Sequence, residues 1–350
     1  MRLGIIARSD KTGLGNQTRE LVEMLSPQKI LLIDSSHFNK NKQFPEIYEG
    51  YAISTTSKGF ASNQEVRDFL QDLDAVLSCE TFYNVDFVSI AKEMGVKTLL
   101  QYNFEFLDYL KFPGRPLPDV LISPSLWNFE FVFNEFGKNC DVVHLPPPTS
   151  PDRFDLARRK NIKTENKRVL HLAGKIADAD RNGTNTVIEM LKHSQADYEL
   201  VIKVQNPERL EKKSNDPRLK IDSTNPNNHA DLYAGFDAMV LPRRYAGLCL
   251  PMNESLISGL PVFMTNISPN NSVLPKEWLI DSKKIGKIKT RRVLPVYEAD
   301  PVSLAKKIDS FMNSNKEEEK EKAFAIGHKL FSPEGLREKY IQLIEAIVNS

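Results

Sequence analysis

Two cations six residues apart, Lys175 and Arg181, bracket a segment that leaves an apolar run at Leu172-Ala173-Gly174 and enters Asn182-Gly183-Thr184, the expected start of a helix. Charge-assisted hydrogen bonds from both side chains, added to the dipole of a helix start, suit a diphosphate. The same pair also reads as ordinary surface cations in a loop. Asp178 and Asp180 between them offer a metal as a competing ligand, although the neighbouring cations compete for their charge. Near the N-terminus, Gly13-Leu14-Gly15 follows the run Leu3 to Ala7 and precedes a helical pattern, so its backbone N–H groups can meet an anion closely. The third glycine of a dinucleotide fingerprint is missing, since position 18 is Thr, and a plain tight turn explains the pair as well. A third segment, Leu241-Pro242-Arg243-Arg244-Tyr245-Ala246-Gly247-Leu248-Cys249-Leu250-Pro251, ends a strand and opens a helix that carries Glu254 in its first turn. Such a carboxylate either meets a ligand or simply complements the helix dipole.

These segments need elements to position them. Short apolar runs at 3–7, 29–34, 75–78, 98–101, 120–123 and 140–145 alternate with helical patterns from 17, at 64–72, 84–94 and 126–136. That alternation predicts a parallel sheet covered on both faces. Pro146-Pro147-Pro148 stops it, because proline joins neither a ladder nor a helix interior. It restarts with strands at 168–173, 198–203, 218–221, 237–241 and 260–264 and helices at 183–193, 228–235, 251–258 and 301–313. The expected architecture is α/β, with two Rossmann-like doubly wound domains facing a central cleft: an acceptor-side domain at 1–150, a linker at 151–167 and a donor domain at 168–330. A last helix at 331–350, with Leu336, Tyr340, Leu343, Ile344 and Ile347 on one face, is expected to pack back on the first domain. The charged run 316–322 reads as a solvated helix face.

The 350 residues are 41% hydrophobic and 27% charged, which disfavours disordered, collagenous and coiled-coil classes. A formal charge of +1 gives no whole-molecule field toward nucleic acid or anionic lipid. Residues 1–140 hold 14 basic and 18 acidic side chains, so the second half, at net +5, is the better host for an anion. Cys79, Cys140 and Cys249 form no metal or redox spacing and suit a reducing cytoplasm. No apolar run is long enough to span a bilayer or to form a signal-peptide core.

Taken together, the segment from Tyr245 through Glu254 to Gly259-Leu260-Pro261-Val262 resembles the donor-site signature of the GT-B glycosyltransferases, particularly the retaining family 4, or glycosyl transferases group 1, type. Lys175 and Arg181 resemble that family's diphosphate-holding Arg and Lys in reversed order and one residue further apart. Gly13 to Gly15 resembles its N-domain glycine loop, and Leu145 to Phe154 its interdomain segment. Ala246 stands where the family has its first glutamate, Cys249 where it has a glycine, and Asn103 where it often has a histidine. The resemblance implies an enzyme that moves a sugar from a nucleoside-diphosphate-sugar donor to an acceptor hydroxyl, with retention by front-face attack, without a permanently bound cofactor or a metal. It implies a catalytic group of Lys175, Arg181 and Glu254, the last on the donor ribose. The donor site would comprise Gly13, Leu14, Gly15, Gly174, Lys175, Arg181, Tyr245, Gly247, Leu248, Cys249, Leu250 and Glu254.

Glu80, Tyr83, Tyr102 and Asn103 follow strand ends in the first half and are the candidates for the acceptor, or ordinary loop residues. The acceptor could be a glycan, a lipid-linked sugar or a small metabolite; a hydroxylated base in DNA is disfavoured by the acidic first half. Two other classes remain open. A sugar-nucleotide epimerase would need acid/base groups that Ala246 does not offer, and a non-catalytic sugar-nucleotide binder is suggested by that same residue.

Overall fold

Most of the apolar runs become strands buried on both faces, while β7 (Asp141–His144) and β10 (Leu219–Asp222) are largely exposed, and helices between the strands supply the cover. The computed structural model describes residues 1–36, 42–111, 114–164, 167–176, 179–245 and 247–350. Two units emerge, Met1–Thr149 with Pro333–Ser350, and Ser150–Ser332.

The first unit is built on β1 (Leu3–Ala7), β2 (Lys29–Leu32), β3 (Ala52–Thr55), β4 (Ala75–Cys79), β5 (Lys97–Gln101), β6 (Val120–Ser123) and β7 (Asp141–His144). All pairings are parallel, in the order β3-β2-β1-β4-β5-β6-β7. The order reverses between β1 and β4. Helices α1 (Gly13–Leu25), α2 (Asn63–Leu70), α3 (Phe87–Glu93) and α4 (Phe129–Phe136) connect the strands. Strand β3 is exposed along its whole length, and such an edge leaves no apolar run to read. Helix α1 begins at Gly13, not at Gln17: Thr12 caps it by accepting from Gly15 N at 3.3 Å, so the glycine segment is the helix's first turn.

The second unit has β8 (Arg168–Gly174), β9 (Glu199–Val204), β10 (Leu219–Asp222), β11 (Ala238–Leu241), β12 (Val262–Thr265) and β13 (Leu279–Ile280), all parallel in the order β10-β9-β8-β11-β12-β13. Here the reversal lies between β8 and β11. An antiparallel hairpin of β14 (Ser282–Lys289) and β15 (Val293–Ala299) stands apart from that sheet. Its helices are α5 (Pro151–Ile162), α6 (Thr184–Met190), α7 (Leu250–Ile257), α8 (Pro301–Met312) and α9 (Lys316–Phe331). Segment 151–167, expected as a linker, opens with α5, for which Pro151 in the first turn, Asp152 behind it and Arg159 and Lys160 in the last turn are all favourable. The charged run 316–322 is helical but not wholly solvated. Lys320 is 3% exposed, and its ammonium donates to Asp237 Oδ1 and to Asn161 O, each at 2.8 Å.

Helix α10 (Pro333–Val348) belongs to the first unit, where Leu336, Tyr340, Ile344 and Ile347 pack with Leu21, Leu25 and Leu99. A buried polar chain fixes it. Gln17 Nε2 donates to Gln101 Oε1 at 2.6 Å, Gln101 Nε2 donates to the Tyr340 hydroxyl at 2.8 Å, and that hydroxyl donates to Pro146 O at 3.0 Å. Each group is satisfied only because the next is in place. Tyr340→Phe is therefore expected to cost about 1–2 kcal/mol in urea unfolding of this unit; an unchanged unfolding midpoint would show that the hydroxyl does not anchor the helix.

Candidate active site

In a doubly wound sheet the two loops that leave the strands on either side of the reversal diverge and open a crevice at the strands' carboxyl ends. In the second unit those loops follow β8 and β11. The first begins at Gly174, whose φ of +61° lies in the left-handed region. Exposed Lys175 comes next, and Asn206 holds Ile176 on both sides, accepting from its N–H at 2.8 Å and donating to its carbonyl at 3.0 Å. Asp178 lies outside the described residues. Asp180 is 8% exposed and accepts from Thr184 N at 2.8 Å and Asn185 N at 2.9 Å, so both its oxygens cap the start of α6.

The two loops are stitched to one another. Arg244 N donates to Arg181 O at 2.9 Å, Arg244 Nη1 donates to Ala179 O at 2.7 Å, and the Arg181 guanidinium lies 5.4 Å from the centroid of the Tyr245 ring. Gly183 has φ +73°, and a Cβ there would sit 2.3 Å from Pro242 O. No other residue fits. His171 completes the joint from below: its Nδ1 meets Val240 O at 2.8 Å and must carry the hydrogen, which leaves Nε2 to accept from Thr184 Oγ1 at 2.9 Å. Burial holds its pKa below the usual value and keeps it neutral. The roles of His171 and Arg244 are absent from any local motif, because their partners are distant carbonyls. Arg243 is 5% exposed and donates to Leu248 O at 3.2 Å, while its buried Nε has no hydrogen-bond partner among the described residues. Tyr245, Gly247 and Cys249 are buried, Leu248 and Leu250 half-buried, and Ala246 lies outside the described residues. Helix α7 opens at Cys249 without a side-chain cap.

Glu254 is not a solvated first-turn carboxylate. Its Oε1 meets His229 Nε2 at 3.0 Å and its Oε2 accepts from the Tyr233 hydroxyl. Both partners come from a short 3-10 helix, His229–Tyr233, where the sequence predicts an α-helix at 228–235. Phe154 packs edge-on against both rings, at 6.3 and 5.7 Å between centroids. Burial alone would raise the Glu254 pKa; the His229 charge and hydrogen bond, the Tyr233 hydroxyl and Arg153 outweigh it and hold the carboxyl below its ordinary value. The i, i+4 pair of His229 and Tyr233 is the one local signal that could have pointed to this clamp.

At the reversal of the first sheet the loops follow β1 and β4. Gly15 is demanded by packing, since a Cβ there would lie 2.0 Å from Asp10 O. Gly13 is exposed and Leu14 half-buried. Asp10 accepts from Arg8 Nε at 2.9 Å, Thr12 N at 3.0 Å and Ser35 Oγ at 2.5 Å. Burial works against this carboxylate, and the bonds from Ser35 and Thr12 with the Arg8 charge overcome it and lower its pKa. Burial pushes the Tyr83 hydroxyl pKa up, and the nearby Arg8 charge opposes it. Glu80 and Tyr83 occupy the left-handed region, at φ +66° and +56°, a strain that non-glycine residues bear only where the surroundings enforce it. Asn103 Nδ2 donates to Glu80 Oε2 at 3.1 Å. Glu80, Tyr83 and Asn103 lie at the same reversal point as Arg8 and Asp10, two residues that belong to no sequence motif. Tyr102 departs from this group, lying 2% exposed in the core with Leu100 and Leu121.

No protein-family model matches this sequence, and no curated protein matches it. Solved structures do, and the class they share is the two-domain Rossmann-like GT-B fold, which this chain has. The chain is similar to a glycosyltransferase from Rickettsia africae ESF-5, with TM-score 0.66, 12% identity and coverage of 99% of this chain and 98% of that one. It is similar to HepE of Anabaena in complex with UDP and glucose, with TM-score 0.66, 11% identity and coverage of 99% and 100%. A third likeness is to sucrose-phosphate synthase from Thermosynechococcus elongatus, with TM-score 0.65, 12% identity and 99% coverage of both chains.

The clamp on Glu254 has a pH signature. A carboxyl held below its usual value of 4.5 contributes stability that is present above that value and is lost as pH falls through the folded-state pKa. Glu254→Gln is expected to cost about 1–3 kcal/mol near neutral pH, with the difference from wild type shrinking in acid. Thermal unfolding across that range checks it, and a difference that does not change with pH would place the charge of Glu254 outside the clamp.

Proposed function

We propose that this protein is a glycosyltransferase that takes a sugar from a nucleoside-diphosphate-sugar donor and passes it to an acceptor hydroxyl, with retention of configuration and without a metal. The observation that carries the reading is the stitched pair of loops at the second reversal point, with Lys175 and Arg181 beside the start of α6. As the glycosidic bond breaks, charge builds on the departing diphosphate. Cations fixed in place before the reaction stabilise that charge without reorganisation. The GT-B fold adds support, because HepE, which shares it, was solved with UDP and glucose.

In this reading Lys175 and Arg181 hold the diphosphate, the backbone from Gly247 to Leu250 and the Tyr245 ring line the donor, and Glu254 accepts a hydrogen bond from the ribose while His229 and Tyr233 keep it still. Gly13, Leu14 and Gly15 form the first turn of α1 at the first unit's own reversal point. In this reading positive side chains rather than a metal carry the neutralisation. The acceptor hydroxyl falls to Glu80, Tyr83 and Asn103, with Tyr102 as packing beneath them. Front-face attack needs no protein nucleophile. A non-catalytic sugar-nucleotide binder is the second reading, favoured by Ala246 in place of a glutamate.

Lys175→Ala and Arg181→Ala are each expected to lower donor turnover by about a hundredfold, the scale set by loss of one preorganised charge at a developing anion. Folding should be spared, since Lys175 is exposed and Arg181 only half-buried. Steady-state kinetics check it: full turnover in either variant would remove that cation from the site.

A further inference from the structure

A dense run of positive charge lies outside both reversal points, on the hairpin β14–β15. Residues 283–292 hold Lys283, Lys284, Lys287, Lys289, Arg291 and Arg292, and no acid occurs before Glu298. The four lysines are exposed, and none of them forms an ion pair with a described residue. In a chain whose formal charge is only +1, these four lysines are a local excess that no described acid pairs with.

Register sorts the hairpin into two faces. Lys284 pairs with Tyr297, Lys287 with Pro295 and Lys289 with Val293, so these six positions share one face. The alternate positions turn inward: Leu294 is 1% exposed and Val296 7%. Among the outward lysines Val293 is 61% exposed, and Ile285, at the bulge between Lys284 and Gly286, is 42% exposed. Like charges two residues apart on one strand repel, and bare aliphatic groups beside them bury nothing. Neither feature helps this unit to fold.

Together they describe a surface complementary to a lipid leaflet, which offers phosphates to lysines and an apolar layer to protruding aliphatic groups. A nucleic-acid backbone offers the phosphates but nothing for Ile285 and Val293 to enter. We propose that the outer face of β14–β15 docks this protein on an anionic bilayer surface, with Lys284, Lys287 and Lys289 on headgroup phosphates and Ile285 and Val293 in the interface. This attachment is peripheral; no described helix is long and apolar enough to cross a membrane. The docking face is tied to the candidate site, because Tyr297 N donates to Arg244 O at 2.7 Å. A bound leaflet therefore lies beside the loop that follows β11.

Co-sedimentation of the full chain with phosphatidylcholine vesicles, with and without phosphatidylglycerol, tests the proposal independently of any transferase activity. Binding is expected only to the anionic vesicles and is expected to weaken as salt rises. The triple variant Lys284→Gln, Lys287→Gln, Lys289→Gln should partition about a hundredfold less, the product of three lost lysine–leaflet interactions, with an unchanged melting temperature. Val293→Ser should weaken binding while leaving its salt dependence intact. Absence of binding to anionic vesicles, equal binding by the triple variant, or tighter binding to duplex DNA than to the vesicles would overturn it.

Discussion

The approach of Gly183 to the Pro242 carbonyl governs the second unit. A Cβ at 183 would lie 2.3 Å from that oxygen, and the residue's φ of +73° suits glycine alone. Because the start of α6 can come this close to the end of β11, the Arg244 side chain reaches Ala179 O and the Arg181 guanidinium reaches the Tyr245 ring. His171 and Asp180 then hold the same corner from the sheet and from the loop. Separate the loops by the width of one methyl group and these bonds are lost together, with the placement of Arg181 that they fix.

The same logic of spending polar groups on position recurs wherever charge is buried. Asp180 caps a helix, Glu254 is clamped by a histidine and a tyrosine, Asp10 gathers Arg8, Thr12 and Ser35, and Lys320 is shared between Asp237 and Asn161. A carboxylate so occupied is held in one orientation. Lys175 has no such partner among the described residues. It is the exposed charge at the corner, and the chemistry proposed for the site leans on it.

Much of this was legible along the chain, for local reasons. Buried parallel strands are continuous apolar runs, so nearly all of the two sheets could be read, and the cations at 175 and 181 followed from the strand and helix that flank them. Strand β3 escaped because an exposed edge carries no apolar signature. The hairpin β14–β15 escaped because its outward face is lysine and its inward face only two residues deep. Segment 151–167 reads as a linker along the chain because the proline triplet before it and its own charges mask the start of α5. The clamp on Glu254 joins residues 21 and 25 positions away, and Tyr102 points into the core one residue after Gln101 points the other way; neither fact has a local trace. Helix α1 beginning at Gly13 was hidden by the expectation that paired glycines mean loop.

The central claim is that the corner between β8 and β11 receives a nucleoside diphosphate on positive side chains. Isothermal titration of the protein with a panel of nucleoside diphosphates, run in chelator and again with magnesium or manganese, tests it most directly. The account predicts saturable one-to-one binding of at least one member in chelator, lost in a variant that carries both Lys175→Ala and Arg181→Ala. Binding that appears only with the metal, or persists undiminished in the double variant, would contradict it.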